Sequence, residues 1–201
     1  MAPNAKYSFS KQRPWEKFYS RENLERPVPE CSIYRFLKDF NSKWSHVAAL
    51  DYFDRRITYD QLFKDIDKAA SAFSKAGVRD GDIVSLCTLT TPETVTVIYA
   101  LNKLGAVSNI IEPRTNSDRI GHHINNVHSR VLIVLDVFVG KINEILPKLN
   151  VKKIVILPLS RSMPTATKLG FKLTKGRKLP QPAADERYIR WDAFLSGGKG
   201  R

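Results

Sequence analysis

The first candidates for chemistry in this chain of 201 residues are its clustered histidines. His122, His123 and His128 fall within one segment of predicted helix. A zinc site on a helix needs ligands three or four residues apart on one face. These histidines are one, five and six residues apart, with no cysteine nearby. We therefore interpret them as solvated or helix-capping side chains and predict no metal site.

Phosphate loops and activated nucleophiles are the next possibility. The stretch Ser196-Gly197-Gly198-Lys199-Gly200 has the residue types of a phosphate loop, but no apolar strand leads into it. Backbone N–H groups cradle a phosphate only where a strand and a helix aim them, so we interpret this stretch as a linker. No GxGxxG follows a predicted strand and no GxSxG occurs, which disfavours a Rossmann site and an activated serine. The sequence predicts no catalytic residue.

The elements that would position any site follow a regular pattern. Four apolar runs begin near Ile83, Val107, Val131 and Ile154, and a helical stretch separates each pair. Apolar runs without alternation indicate strands that are buried on both faces, and single helices between them indicate right-handed crossovers. The sequence therefore predicts an α/β fold in which helices cover both faces of a parallel sheet, a three-layer sandwich.

Capping residues and turns mark the boundaries of the predicted helices. The predicted N-caps are Ser32, Thr58, Thr91 and Ser117. Thr58 and Gln61 form the pattern of a capping box, and Gly77 suits the left-handed position after the same helix. The helix after Ser32 would present one apolar face, made of Ile33, Phe36, Leu37 and Phe40. Before Thr58, a strand pair is predicted around a turn at Asp54-Arg55.

Composition divides the chain into three parts. Residues 1–30 are polar and contain four prolines, among them Pro14, Pro27 and Pro29, which indicates an extended arm lying on a larger body. Residues 31–160 carry the α/β pattern. Residues 161–201 are predicted to be a basic loop, a short helix and a tail. The net charge of the chain is +13, and residues 148–201 hold 13 basic and 3 acidic residues, so most of the excess lies in that quarter.

The basic segment 161–178 leaves three interpretations open. We favour a solvated surface loop. The second is contact with an anionic membrane, where each basic residue contributes about 1 kcal/mol. The candidate membrane contacts are Lys168, Phe171, Lys172 and Lys175. Nucleic acid is the third and least favoured, because the segment nearly lacks aromatic residues on which bases could stack.

Cellular location is constrained only weakly by the sequence. Cys31 and Cys87 are far apart and form no CxxC, and the N-terminus has no apolar signal region. Two thiols of this kind fit a reducing compartment. No apolar run reaches the ~18 residues that a transmembrane helix needs. We expect a cytoplasmic protein, with peripheral membrane contact as an open option.

Two stretches go beyond a generic α/β pattern. The first is Ile57-Thr58-Tyr59-Asp60-Gln61-Leu62, followed by a helix and Gly77-Val78-Arg79-Asp80-Gly81-Asp82. The second runs from Tyr99 through Leu104-Gly105-Ala106-Val107 to Glu112-Pro113, with Thr91-Pro92-Glu93 between the two. In this order they resemble the first two core motifs of the adenylate-forming (ANL) superfamily. The resemblance covers roughly residues 30–160 and is nearest to bacterial fatty-acid:CoA ligases.

The resemblance implies a parent enzyme that uses ATP and Mg²⁺ to form an acyl-adenylate from a carboxylic acid, then transfers the acyl group to coenzyme A. The family's phosphate loop, adenine-binding motif and C-terminal lysine do not occur in this sequence. It is therefore expected to be an N-terminal piece, inactive alone and partnered by the rest of its polypeptide. No cofactor is expected to bind it tightly.

Ligands of open α/β sheets bind beyond the carboxyl ends of the strands. That edge would be formed by Thr88–Pro92, Glu112–Arg114 and Asp136–Lys141. The resemblance places the coenzyme A nucleotide here, and the candidate contacts are Glu112, Pro113, Arg114 and Lys141. The alternative for each residue taken singly is a solvated surface charge.

Two other functions remain open at this point. A stand-alone α/β module could use the basic segment 161–178 on an anionic membrane or polyanion. A flavodoxin-like nucleotide-binding domain is the weaker option, because the chain lacks a glycine-rich first loop.

Overall fold

The computed structural model describes residues 9–197, without the side chains of Phe9, Ser10, Lys172 and Lys175. The chain separates into two units at Cys31. The first unit contains the short helices α1 (Phe9–Gln12) and α2 (Arg21–Glu25), with a 3₁₀ turn at Glu16–Phe18. The prediction of an extended arm missed these helices. α2 begins because the Ser20 hydroxyl accepts a hydrogen bond from the Asn23 N–H.

The second unit begins with α3 (Ile33–Asn41), whose predicted N-cap Ser32 is confirmed. A 3₁₀ turn (Ser42–Trp44) leads to the hairpin of β1 (Ala48–Tyr52) and β2 (Arg55–Thr58). The predicted turn is wrong by one residue. Phe53 and Asp54 both have positive φ, 52° and 65°, as a two-residue turn between twisted strands requires.

Most of the apolar face predicted for α3 is exposed, and of its four residues Leu37 packs against the core. Ile33 and Phe40 are 65% and 58% exposed, whereas Tyr34 is only 6% exposed. Tyr34 is drawn inward because its backbone N–H donates to the Asn102 side chain and its hydroxyl donates to Asp67. These hydrogen bonds therefore set the orientation of α3, although the spacing of its apolar residues favours a different buried face.

Helix α4 (Tyr59–Lys75) begins at Thr58 as predicted, with the Thr58 hydroxyl accepting from the Gln61 N–H at 3.3 Å. Only half of the capping box forms, because the Gln61 side chain donates to Asp65 and not to the Thr58 backbone. Gly77 has a φ of 92°, the left-handed conformation expected after the helix.

The main sheet contains the four predicted strands: β3 (Ile83–Cys87), β4 (Val107–Ile111), β5 (Val131–Leu135) and β6 (Lys153–Leu157). A fifth strand, β7 (Tyr188–Arg190), was not predicted and pairs with β6, with Ile154 opposite Tyr188. The order is β4-β3-β5-β6-β7, and every pair is parallel. The C-terminal basic part therefore supplies an edge strand to this sheet.

Five helices connect or follow these strands: α5 (Pro92–Lys103), α6 (Ser117–Asn126), α7 (Val139–Ile145), α8 (Thr165–Leu173) and α9 (Trp191–Leu195). Thr91 caps α5 as predicted. The cap of α6 is Asn116 and not Ser117, because the Asn116 side chain accepts from the Arg119 N–H at 2.8 Å. α8 forms where a loop was predicted for lack of a cap; Pro164 occupies the N-cap position, and its carbonyl oxygen accepts from the Lys168 N–H at 2.8 Å.

Helices pack on both faces of the sheet, which confirms the predicted three-layer arrangement. Side chains from alternate strand positions, such as Leu86 and Ile133, pack with α4, α5 and α9. The intervening positions, such as Cys87 and Leu132, pack with α6 and α7. Between residues 9 and 197, no helix is both long and apolar enough to cross a membrane.

Candidate functional site

The strand order creates a crevice at the carboxyl edge of the sheet. The chain moves from β3 to its outer neighbour β4 through α5, then returns past β3 to β5 through α6. Helices α5 and α6 lie on opposite faces of the sheet, as expected for two right-handed crossovers that run in opposite directions. The loops that follow β3 and β5 thus diverge, and this switch point is where ligands bind in open α/β sheets.

Thr88 and Asp136 follow β3 and β5 at this crevice. Thr88 is 6% exposed, and its hydroxyl has no hydrogen-bond partner in the described part of the chain. The Asp136 carboxylate accepts from the Leu159 N–H at 3.2 Å. Burial raises the pKa of Asp136, and the backbone hydrogen bonds from Leu159 and Val137 offset this only in part. The crevice therefore contains one buried hydroxyl, that of Thr88, without a partner among the described residues.

The loop after β4 carries three of the predicted coenzyme A contacts. Pro113 is buried and so presents little surface to a ligand. The Arg114 guanidinium donates two hydrogen bonds to the Glu112 carboxylate, from Nε to Oε1 at 2.7 Å and from Nη2 to Oε2 at 3.1 Å. These hydrogen bonds lower the pKa of Glu112 to about 2. The Arg114 guanidinium is therefore already paired, while both side chains remain exposed.

The fourth predicted contact, Lys141, reaches the same edge from α7. Its ammonium group donates to the Thr115 carbonyl oxygen at 2.5 Å, and the Ser117 hydroxyl donates to Glu144 of the same helix. The structure thus brings the loop after β4 and Lys141 together. An ammonium group has three donors, so Lys141 keeps donors for an anion such as a phosphate.

The structure distributes the predicted membrane contacts differently. Lys168 is half-buried and lines a cavity of about 300 Å³ together with Arg55, Glu93 and Arg161. Phe171 is also half-buried, and the side chains of Lys172 and Lys175 lie outside the described part of the structure. The large exposed apolar residues of α8 are instead Leu169 and Leu173, whose spacing of four residues was the available sequence signal.

A buried carboxylate in the same cavity was missed by the sequence analysis. Glu93, in the first turn of α5, is 6% exposed, and its Oε1 accepts from the Ser162 hydroxyl at 2.5 Å. Arg161 approaches the same oxygen at 3.8 Å and also pairs with Asp192. These contacts fix the segment after β6 against the start of α5. They join residues 69 positions apart, which no local pattern could indicate.

The other candidates from the sequence are the histidines, the cysteines and the glycine-rich tail, and those within the described residues do not form a common site. Among residues 9–197, no group of three or more His, Cys, Asp or Glu side chains could hold a metal ion. His122 and His123 are neighbours on α6, with ring centroids 6.0 Å apart. Burial is the main cause that raises the pKa of Cys87 to about 12, so this thiol is not an activated nucleophile. The glycine-rich tail, from Gly198 onward, lies outside the described residues.

Comparison with known proteins gives relatives for this arrangement. The chain is 21% identical over 169 residues to a long-chain-fatty-acid–CoA ligase of Bacillus subtilis (strain 168), covering 84% of the chain and 30% of that protein. It is 33% identical over 82 residues to acetyl-coenzyme A synthetase 1 of Debaryomyces hansenii, covering 41% of the chain and 12% of that protein. The chain thus spans less than a third of the length of these relatives.

Solved structures share the fold. The crystal structure of the anthranilate CoA ligase AuaEII in complex with anthranoyl-AMP superposes with a TM-score of 0.67 at 22% identity, covering 86% of this chain and 29% of that one. The family described as AMP-binding enzyme matches residues 37–189, which is more than half of the chain. This match includes the hairpin, the sheet and the switch-point crevice, and the chain therefore belongs to the family of AMP-binding enzymes.

Proposed function

We propose that this chain forms the first part of the nucleotide-binding domain of an acyl-CoA ligase, which activates a carboxylic acid with ATP and transfers it to coenzyme A. The observation that carries this proposal is the family match over residues 37–189. A fatty acid is the favoured substrate class. It is supported by the similarity to the Bacillus subtilis ligase, which extends over 84% of the chain.

We propose further that the chain alone does not perform adenylation. That step brings a carboxylate against a polyphosphate, so it needs aligned donors, a cation and a metal to stabilise the transition state. The described residues contain no acidic or histidine cluster that fits Mg²⁺, and no glycine-rich loop follows β3, β4, β5 or β6. The chain's contribution is the sheet and its carboxyl edge.

Pyrophosphate exchange tests this proposal directly. The chain, mixed with ATP, Mg²⁺ and radiolabelled pyrophosphate, should form no labelled ATP above background with acetate, an aromatic acid or a long-chain fatty acid. Acid-dependent exchange by the purified chain would contradict the proposed division of labour. The same assay on a full-length bacterial acyl-CoA ligase verifies that the conditions support the reaction.

The proposed role of the carboxyl edge is to hold a phosphate of coenzyme A. Lys141 carries a cation with free donors, and it lies beside the loop of Glu112 and Arg114. The Glu112 carboxylate competes with an incoming phosphate for the Arg114 guanidinium. The Lys141 charge therefore raises the affinity of this edge for an anion, and the Glu112 charge lowers it.

Titration of coenzyme A, followed by NMR chemical shifts, separates these contributions. Lys141→Gln should weaken binding about two- to fivefold, as for a partly exposed charge pair. Glu112→Gln should strengthen binding, because it frees the Arg114 guanidinium. Lys152→Gln, at an exposed lysine beside the opposite edge of the sheet, is the matched control and should leave binding unchanged. Equal effects of Lys141→Gln and Lys152→Gln would refute the proposed contact.

A further inference from the structure

We propose that helix α8 is a docking surface for anionic lipid membranes, with Leu169 and Leu173 as the inserted side chains. This inference does not depend on the proposed enzymatic function. It rests on the conformation of α8, on which of its residues are exposed, and on the charge of the surrounding segment.

The exposed face of α8 is a continuous stripe of apolar and small residues. Ala166, Leu169, Gly170 and Leu173 recur at intervals of three and four, so they lie on one side of the helix. All four are exposed, with Leu169 at 59% and Leu173 at 55%. Two large aliphatic side chains one turn apart therefore face solvent together.

The opposite side of α8 is turned toward the protein. Lys168 lines the cavity that contains Glu93 and Arg161, and Phe171 is half-buried. Because these residues are about 100° to 200° around the helix from Leu169, their inward position fixes the leucines outward. The contacts first expected for the membrane, Lys168 and Phe171, are replaced here by Leu169 and Leu173.

The positive charge of the segment around α8 favours an anionic membrane as the partner of this apolar stripe. Residues 161–178 contain six basic residues and no acidic residue. Arg177 and Lys178, in the 3₁₀ turn after α8, are exposed. Lipid headgroups that carry negative charge would attract these cations, while the leucines enter the boundary between headgroups and acyl chains. A nucleic acid would satisfy the charges but would leave the leucines in water.

Vesicle flotation with the whole chain tests this surface. The chain should float with vesicles of phosphatidylcholine and phosphatidylglycerol and not with phosphatidylcholine alone. High salt should reduce the binding, since the screening length falls to about 3 Å at 1 M. Leu169→Gln/Leu173→Gln should lower the partition coefficient at least tenfold, about 1.4 kcal/mol. Glutamine keeps a high helix propensity, so α8 itself should be retained.

Two matched controls distinguish binding through the proposed surface from nonspecific membrane binding. Val107→Gln/Ile110→Gln removes two apolar side chains of similar exposure, 52% and 63%, from edge strand β4. Arg177→Gln/Lys178→Gln should weaken binding, whereas Arg130→Gln/Lys152→Gln, with the same change in net charge, should not. Circular dichroism verifies that each variant is folded.

Three results would overturn the proposal. One is the absence of binding to the anionic vesicles. The second is an equal loss of binding in the α8 variants and their controls. The third is binding to a single-stranded oligonucleotide with the same affinity and no dependence on the leucines, which would indicate a general polyanion surface.

Discussion

The contact between Tyr34 and Asp67 permits a quantitative prediction. The Tyr34 hydroxyl donates to Asp67 Oδ1 at 3.0 Å, and Lys103 approaches the same oxygen at 2.5 Å. A hydrogen bond to a charged group contributes about 1.5–3 kcal/mol, and the upper part of that range applies to fully buried pairs. The Asp67 side chain is 47% exposed and keeps Lys103 as a partner. We therefore expect Tyr34→Phe to lower the free energy of unfolding by about 1 kcal/mol.

The Asp67 charge gives this contact a predictable pH dependence. Partial burial alone would raise the pKa of Asp67, but hydrogen bonds from Lys103 and Tyr34 outweigh it and lower the pKa below its ordinary value. A carboxyl group with a lowered pKa stabilises the folded state above the unfolded pKa, about 4. That contribution disappears as pH falls through the folded pKa. The stability difference between the original chain and Asp67→Asn should therefore be constant near neutral pH and should shrink below about pH 4.

Urea unfolding of the original chain, both single variants and the double variant measures the coupling. The pair should couple by at least about 0.5 kcal/mol, because the residues share one oxygen. Tyr99→Phe, which removes the hydroxyl of a half-buried tyrosine in α5, is the control. A Tyr34→Phe variant as stable as Tyr99→Phe, or a coupling energy near zero, would refute the proposed anchoring of α3.

Two further predictions concern the core and the thiols. Ile133→Ala, at a fully buried position of the central strand β5, should lower the free energy of unfolding in urea by about 2–5 kcal/mol. Ile110→Ala, at 63% exposure on β4, should lower it by less than about 1 kcal/mol. Similar losses of stability in the two variants would contradict the assigned core. A disulfide reagent at mild alkaline pH should modify the exposed Cys31 in the folded protein and Cys87 only after unfolding, because burial raises the pKa of Cys87 to about 12. Rapid modification of both thiols in the folded protein would contradict that burial.

Local sequence signals predicted the elements that depend on local physics. The central strand β5 is apolar at every position, and Thr58 and Thr91 cap their helices through contacts with residues only three positions away. β7 was missed because it has three residues and exists through pairing with β6, more than thirty residues away. The orientation of α3 was missed for the same reason, since the partners of Tyr34 are 33 and 68 residues away.

The candidate site was predictable to the extent that it follows from sheet topology. Parallel strands place their carboxyl ends on one edge, so the loops of Arg114 and Lys141 were expected near each other. Their electrostatics were not predictable. The hydrogen bonds from Arg114 to Glu112 depend on the turn geometry after β4, and they pair the guanidinium that made Arg114 a candidate with a carboxylate.

The glycines of the family motifs support the fold and lie away from the candidate site. Gly105 has a φ of 74° and ends α5, and the Ala106 N–H bonds back to the Leu101 carbonyl across it. The Gly81 N–H donates to the Gly105 carbonyl, and this contact aligns the starts of β3 and β4. Both glycines therefore lie at the amino edge of the sheet, opposite the crevice formed by the loops after β3 and β5. Substitutions at these motif glycines should change stability, whereas ligand binding should respond to the loops at the carboxyl edge, where Lys141 and Glu112 lie.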